Sequence, residues 1–260
     1  MSTGRRLAIL GGIVAAALRS VTAEDLPPPD PSVRSIPHGT LHRQREYCRP
    51  KNREWTLCKK EEITLPVYGK EAPPFTREIA RRLAPYLKEY EASDPVKEVE
   101  EAFPDYPGDV GGKWYDALSI GLYARTPATY TLELDRSGYG GGAHGYYTVE
   151  FLNLLPGREA PVRLAECFRP GSRAKLLKIA ERHYRLEHGL APHTPLTEDG
   201  WFEERFVLAE QFALTSRGIL FLYNQHEIKP YAAGLTAFLL PYRALRGIID
   251  PRGPLAYLLK

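Results

Sequence analysis

Apolar and polar residues alternate with a period of two in several runs of the chain, and in two others they recur every three or four residues. ATYTLELDR (128–136) places Tyr130, Leu132 and Leu134 against Thr131, Glu133 and Asp135. That is the signature of a half-buried strand, and the carboxylates on the second face mark it as a solvated one. WYDALSIGLY (114–123) and GYYTVEFLNLL (145–155) flank this run and read as strands of an antiparallel meander. EEITLPVYG (61–69) reads as an opening strand, with Pro66 consigning it to an edge or bulge. In the last third, QFALT, the turn SRG and ILFLYN read as a hairpin, followed by TAFLLPYRALRGII. Helical spacing occupies Ile79, Ala80, Leu83, Ala84 and Leu87, with Thr76 as N-cap, a kink at Pro85 and a continuation in VKEVEEAF. A second helix runs from a Ser172 cap to Gly189. Strand runs and helix runs are segregated, so the expected fold is α+β, an antiparallel sheet carrying two main helices.

The ends and the charge place this domain. Arg5 and Arg6 precede an apolar run from Leu7 to Leu18 and the small-x-small triplet Val21-Thr22-Ala23, so residues 1–23 read as a secretory signal peptide. The apolar run falls short of the roughly 20 residues a bilayer-spanning helix needs. Retention as an uncleaved anchor is the alternative, and Arg19 is an awkward cation near the cleavage site. Residues 24–45, with five prolines, read as a tether, and 46–260 as one domain. The formal charge of +3 lies entirely in Arg5, Arg6 and Arg19, so the exported chain is neutral, which argues against nucleic-acid binding. The expected location is periplasmic or secreted. Three cysteines in an oxidising compartment predict a Cys48–Cys58 bridge around a polar loop, stabilising by roughly 2.5 to 3 kcal/mol in the loop-closure account. Cys167, in the apolar run LAECF, reads as a buried inert thiol.

Candidate chemistry concentrates in two segments. YGGGAHGYY (139–147) contains G-x-G-x-x-G, but a dinucleotide site needs a helix behind the glycines, and a strand pattern follows instead. The glycines therefore turn the chain, with Gly138, Gly140, Gly141, Gly142 and Gly145 supplying positive φ. HEIKPYAAG (226–234) is built to cross over another segment. Tyr231, Phe221 and Tyr223 read as core. His144 reads as a backbone-bonded histidine, or as a general acid/base if Glu133, Asp135 or Glu227 lies within reach. His183 and His188 are five apart on a helix and do not converge on a metal; both read as exposed. No cofactor and no metal are expected.

These two segments carry a resemblance. GGAHG (141–145), the strand bearing Asn153 and Leu154, and LFLYNQHEIKPYAAG (220–234) leading into LLPYRAL together resemble the RsiV-like extracytoplasmic domain of unknown function. That domain occurs in the anti-sigma factor RsiV and ahead of the catalytic domain of the deacetylase PdaC. Asn224, Glu227, Ile228, Pro230, Tyr231, Ala232, Ala233 and Gly234 match the family's run, whereas Gln225 and His226 replace its usual Pro-Tyr. The resemblance spans roughly residues 60 to 250. It implies an α+β fold and a receptor role: in RsiV the domain binds lysozyme. No sigma-binding segment and no deacetylase domain are expected here. The resulting expectation is an envelope binding module for a protein such as lysozyme or for peptidoglycan, with His144, Tyr146, Asn224, Glu227 and Tyr231 as binding residues. The alternative is a cell-wall hydrolase with His144 and Glu227 as its acid/base pair.

Overall fold

The computed structural model describes residues 27–50, 56–102, 113–141 and 143–260. The signal-peptide reading of residues 1–23 lies outside the described residues. Among the described residues, eight strands and four α-helices follow in the order β1 (Gly39–Pro50), β2 (Thr56–Val67), α1 (Thr76–Ala92), α2 (Pro95–Ala102), β3 (Lys113–Arg125), β4 (Tyr130–Tyr139), β5 (Tyr146–Leu154), α3 (Arg173–Glu187), β6 (Gln211–Leu214), β7 (Gly218–Tyr223), β8 (Thr236–Pro241) and α4 (Tyr242–Leu245). The α+β expectation holds, with two sheets in place of one: β1-β2-β3-β4-β5 and β6-β7-β8. All pairings are antiparallel except β2 with β3, which run parallel. A parallel neighbour needs a crossover connection, and α1 and α2 lie in it.

Three apolar clusters stack these elements into four layers. Ile63, Ile120, Leu132 and Leu134 on one face of the larger sheet meet Ile79 and Leu83 of α1. The opposite face presents Tyr123, Tyr147, Val149 and Phe151 to Ala213, Leu220 and Leu222 of the smaller sheet. That sheet turns Phe212, Leu214, Ile219, Phe221, Tyr223 and Phe238 to Leu176, Ala180 and Tyr184 of α3. The order is helix, sheet, sheet, helix. β7 is covered on both sides and buried at all six positions, which is why its sequence is a continuous apolar run. Phe221 and Tyr223 are core, as the sequence predicts.

Side-chain amides fasten the two sheets at the edge of β5. Asn153, 1% exposed, accepts from the Leu214 N–H (2.7 Å) and the Thr131 hydroxyl (2.8 Å) and donates to the Phe212 carbonyl (2.7 Å). Two residues back, Phe151 N–H donates to Gln211 Oε1 (3.0 Å), and two further back Asn224 bonds both the N–H (2.7 Å) and the carbonyl (3.0 Å) of Val149. Alternate positions of one strand edge are thus capped by amides rather than by another strand, which removes the exposed donors and acceptors that make edges sticky.

The structure differs from the sequence reading in the segment before residue 46. Residues 39–45 belong to β1, and residues 27–36 pack on the domain. Asp30, 2% exposed, accepts from Ser32 N–H and from the Ser216 N–H and hydroxyl, and its own N–H donates to the Tyr123 carbonyl (2.8 Å). Burial pushes its carboxyl up, but these donors outweigh that and hold it below the usual range. Prolines here shape a docked strap. The Cys48–Cys58 disulfide forms between directly paired positions of β1 and β2. Cys167 is buried with its thiol pushed up to about 12 by burial, which keeps it inert.

Candidate functional site

The glycine stretch is a hairpin loop, since Gly138 at the end of β4 pairs with Tyr146 at the start of β5. A strand, not a helix, follows Gly145, so no helix terminus faces a phosphate. The glycines divide the work differently from the sequence expectation. Among the described ones only Gly141 has a positive φ, 91°. Gly138 and Gly145 serve close approach. A Cβ on Gly145 would sit 2.6 Å from the Gly138 carbonyl oxygen, and one on Gly138 would sit 2.5 Å from the Tyr146 ring and 2.6 Å from Asp116 Oδ1. The missing side chain lets the Tyr146 ring lie flat over the strand and donate its hydroxyl to Asp116 (2.7 Å). Burial, then the hydrogen bond to Asp116 and its charge, pushes that phenol up to about 12. Gly138→Ala is therefore expected to lift Tyr146 off Asp116 and return its ionisation toward the ordinary tyrosine value, read by absorbance titration of the phenolate. Overpacking of this kind costs about 1–3 kcal/mol.

The second segment locks onto this hairpin. Tyr231 donates its hydroxyl to the Gly145 carbonyl (2.8 Å), and its ring stacks on His144 with centroids 4.0 Å apart. His144 Nδ1 lies 2.9 Å from the same carbonyl, a bond that requires the proton on Nδ1. Tyr231 is half-buried, not core. The turn that delivers it is held by Glu227, whose carboxylate accepts from the Asn224 N–H (2.7 Å), while His226 takes a left-handed φ of 63°. Burial pushes the Glu227 carboxyl up, opposed by the Asn224 amide.

The five sequence-nominated binding residues thus fall into two groups. Asn224 and Glu227 hold the fold, the first through β5 and the second through its own turn. His144 and Tyr231 meet at the Gly145 carbonyl, while Tyr146 lies over Gly138 and reaches Asp116. No hydrogen bond or ion pair joins His144 to Glu227; each is bonded to a different backbone group. Tyr115, unremarked in the sequence reading, lies beside Gly145, its hydroxyl 3.6 Å from where a Cβ there would sit. Tyr115 and Tyr146 are 40% and 47% exposed and His144 is exposed as well, so this end of the larger sheet is an aromatic ridge open to solvent, with Tyr146 on the α1 face beside Asp116 and Tyr115, one register position away, toward the opposite face.

Beside the ridge is a cleft of about 190 Å³ between α1 and the larger sheet, with Tyr146 in its wall. α1 contributes Tyr86, Glu89 and Tyr90, β2 contributes Glu61 and Glu62, and β3 contributes Asp116, facing Arg136 of β4. Cations stand behind the carboxylates. Lys59, 7% exposed, reaches Asp116 (2.9 Å) and Glu98; burial pulls its pKa down, and these partners more than reverse the effect. Arg45 bonds Glu61 (2.6 Å) and covers the Tyr90 ring at 4.7 Å. These pairings fix Glu61 and Asp116 in place, and each carboxylate oxygen can accept more than one hydrogen bond.

Other titratable groups lie elsewhere. Glu133 and Asp135 face the second sheet rather than solvent, against the sequence reading of a solvated face, and both are pushed up, Glu133 to about 8, by burial first and then by each other's charge in the case of Glu133. His183 and His188 are half-buried rather than exposed. The His188 ring stacks on Tyr184 at 4.1 Å, and burial pulls both imidazoles down. Among the described residues, Glu46 with Cys48 and Cys58 form a group of potential metal donors, but both sulfurs are consumed by the disulfide. No helix among the described residues is long and apolar enough to cross a membrane.

Comparison with known proteins gives the chain relatives in fold. The family described as a protein of unknown function, DUF3298, matches residues 166–243, which include β6 to β8 and the NQHEIKPYAAG segment. A DUF3298 family member from Bacteroides fragilis superposes with a TM-score of 0.59 at 18% identity, over 86% of this chain and 98% of that one. A DUF3298 family protein from Pseudomonas aeruginosa PAO1 does so at 0.56 and 22% identity, over 83% and 95%. At these identities the likeness is one of fold. No curated protein matches the chain by sequence.

Proposed function

We propose that the chain is an exported binding module of the cell envelope whose ligand, a cell-wall glycan, seats on the Tyr115–His144–Tyr146 ridge and extends into the adjoining cleft. One observation carries this reading: the exposed Tyr146 ring walls a cleft whose carboxylates Glu61 and Asp116 are held by Arg45 and Lys59. Sugars present flat apolar C–H faces and rows of hydroxyl donors, which aromatic rings and fixed carboxylates suit. The signal-like N-terminus and the neutral exported chain support the location, and a cross-strand disulfide fits an oxidising compartment. Lysozyme is the second ligand reading, favoured by the RsiV-like resemblance of the two segments that build the ridge. A hydrolase reading has less support, because His144 and Glu227 are bonded to separate backbone groups.

Calorimetric titration of the purified protein with soluble peptidoglycan fragments, and separately with lysozyme, tests the proposal. The fragments are expected to bind, and Tyr146→Ala or Tyr115→Ala to weaken binding about tenfold each, ~1.4 kcal/mol, with the unfolding midpoint little changed. Binding to lysozyme alone would replace the glycan by the protein ligand. Heat from neither, or binding indifferent to both tyrosines, would remove the surface from consideration.

A further inference from the structure

A second cavity lies at the start of α3, lined mostly by residues of the 166–243 segment, and it has a different chemistry from the ridge. It measures about 410 Å³, inside the roughly 300–1,000 Å³ range of small-molecule sites. Leu164, Phe168, Leu176, Leu177 and Leu208 supply its apolar wall, all of them belonging to or packed against the core beneath α3. Arg169 and Arg173 stand at its polar side.

The two cations at this cavity lack carboxylate partners. Neither Arg169 nor Arg173 has a carboxylate partner among the described residues; Arg169 Nε donates only to the Ile249 carbonyl (3.1 Å). Ser172, at the capping position, spends its hydroxyl on the Arg169 carbonyl (2.6 Å), and no side chain caps the first amides of α3. The first turn contains no acid and instead carries Arg173 and Lys175, the reverse of what a helix start favours. One carboxylate, Asp250, also lines the cavity, and it is engaged by the Arg252 N–H (2.8 Å) and guanidinium (3.7 Å). An apolar chamber whose polar side carries two arginines without carboxylate partners complements a molecule with an apolar tail and one negative head.

We propose that this cavity binds a medium-chain alkyl carboxylate, tail against the leucines and head between Arg169 and Arg173. The site is independent of the ridge. Decanoate labelled with carbon-13 at the carboxyl carbon, titrated into the full chain and followed by NMR and calorimetry, is the probe. Saturable one-to-one binding is expected. Decanol should bind at least tenfold more weakly, and decylammonium should not bind. The double variant Arg169→Glu/Arg173→Glu, at exposed positions, should lose at least tenfold with an unchanged circular-dichroism spectrum, whereas Asp250→Asn should tighten binding. Leu177→Trp, which fills the chamber, should abolish it. Absence of saturable binding, equal affinity for the three amphiphiles, or indifference to the charge reversal would each overturn the assignment.

Discussion

Asn153→Ala is expected to destabilise the protein by about 3–5 kcal/mol, seen as a lower urea midpoint with little change in slope. The cost does not come from the contacts removed but from the groups left behind. The Leu214 N–H, the Phe212 carbonyl and the Thr131 hydroxyl all lie where the two sheets meet, and each loses the partner that Asn153 supplies. A buried polar group left unsatisfied costs about 1–3 kcal/mol, and the Leu214 N–H and the Phe212 carbonyl face that penalty together, while the Thr131 hydroxyl keeps a second acceptor. Thr131→Val calibrates the effect. It removes one of the three bonds while leaving Asn153 its other two partners, and the Thr131 hydroxyl has a second acceptor in the Leu214 carbonyl (3.2 Å), so about 1 kcal/mol is expected. A loss under 1 kcal/mol for Asn153→Ala would mean that the amide fastening of the sheets is dispensable.

Stability should also fall as pH rises from about 5 to about 8, and Glu133→Gln should flatten that slope. Glu133 is covered by the second sheet, next to Asp135, and burial reinforced by its neighbour's charge raises its folded pKa to about 8. The unfolded chain releases this proton near the ordinary glutamate value, so between the two values the folded state holds more protons than the unfolded state. Stability conferred by the proton is full below the unfolded pKa and is lost through the folded one. At pH 9 the glutamine variant should exceed the parent by on the order of 3 kcal/mol, and near pH 4 the two should converge. Parallel stability–pH curves for the two proteins would contradict the assignment. Asp30 works in the opposite direction. Its lowered carboxyl contributes stability that is present above about pH 4 and lost on further acidification.

Glu133 also shows where the sequence stops being informative. Alternation in TLELD correctly announces a strand with two unlike faces. It does not say what covers the polar face, and here a second sheet does, turning a nominally solvated pair into a buried one. The same limit hid β1: HRQREYCRP is charged on both faces because it forms the outer edge of the sheet, so it carries no apolar stripe to find. The parallel β2–β3 pairing is set by the crossover through α1 and α2, which no local pattern encodes. By contrast, the hairpin at Gly138–Tyr146, the buried run of β7 and the Cys48–Cys58 pairing depend on neighbouring residues and were legible.

For the candidate site, legibility was partial for a related reason. The glycines and the HEIKPYAAG segment stood out as unusual, and they do meet, through the Gly145 carbonyl and the His144–Tyr231 stack. Their most distinctive polar residues, Asn224 and Glu227, are consumed in building the platform. The cleft beside it draws on β2, α1 and β3, far apart in sequence, so Asp116, Tyr86 and Glu89 gave no local signal. Tyr115, in the run KWYD, left one available clue, an aromatic beside a second aromatic at a strand start.

The measurement closest to the central claim is an amide NMR titration of the isotope-labelled protein with soluble peptidoglycan fragments. Shifts are expected to cluster at residues 115, 116 and 144 to 146, at 231, and along residues 86 to 90 of α1, with little change near β6. Shifts confined to other surfaces, or no shift at saturating fragment, would contradict the ridge and its cleft as the place where this protein binds.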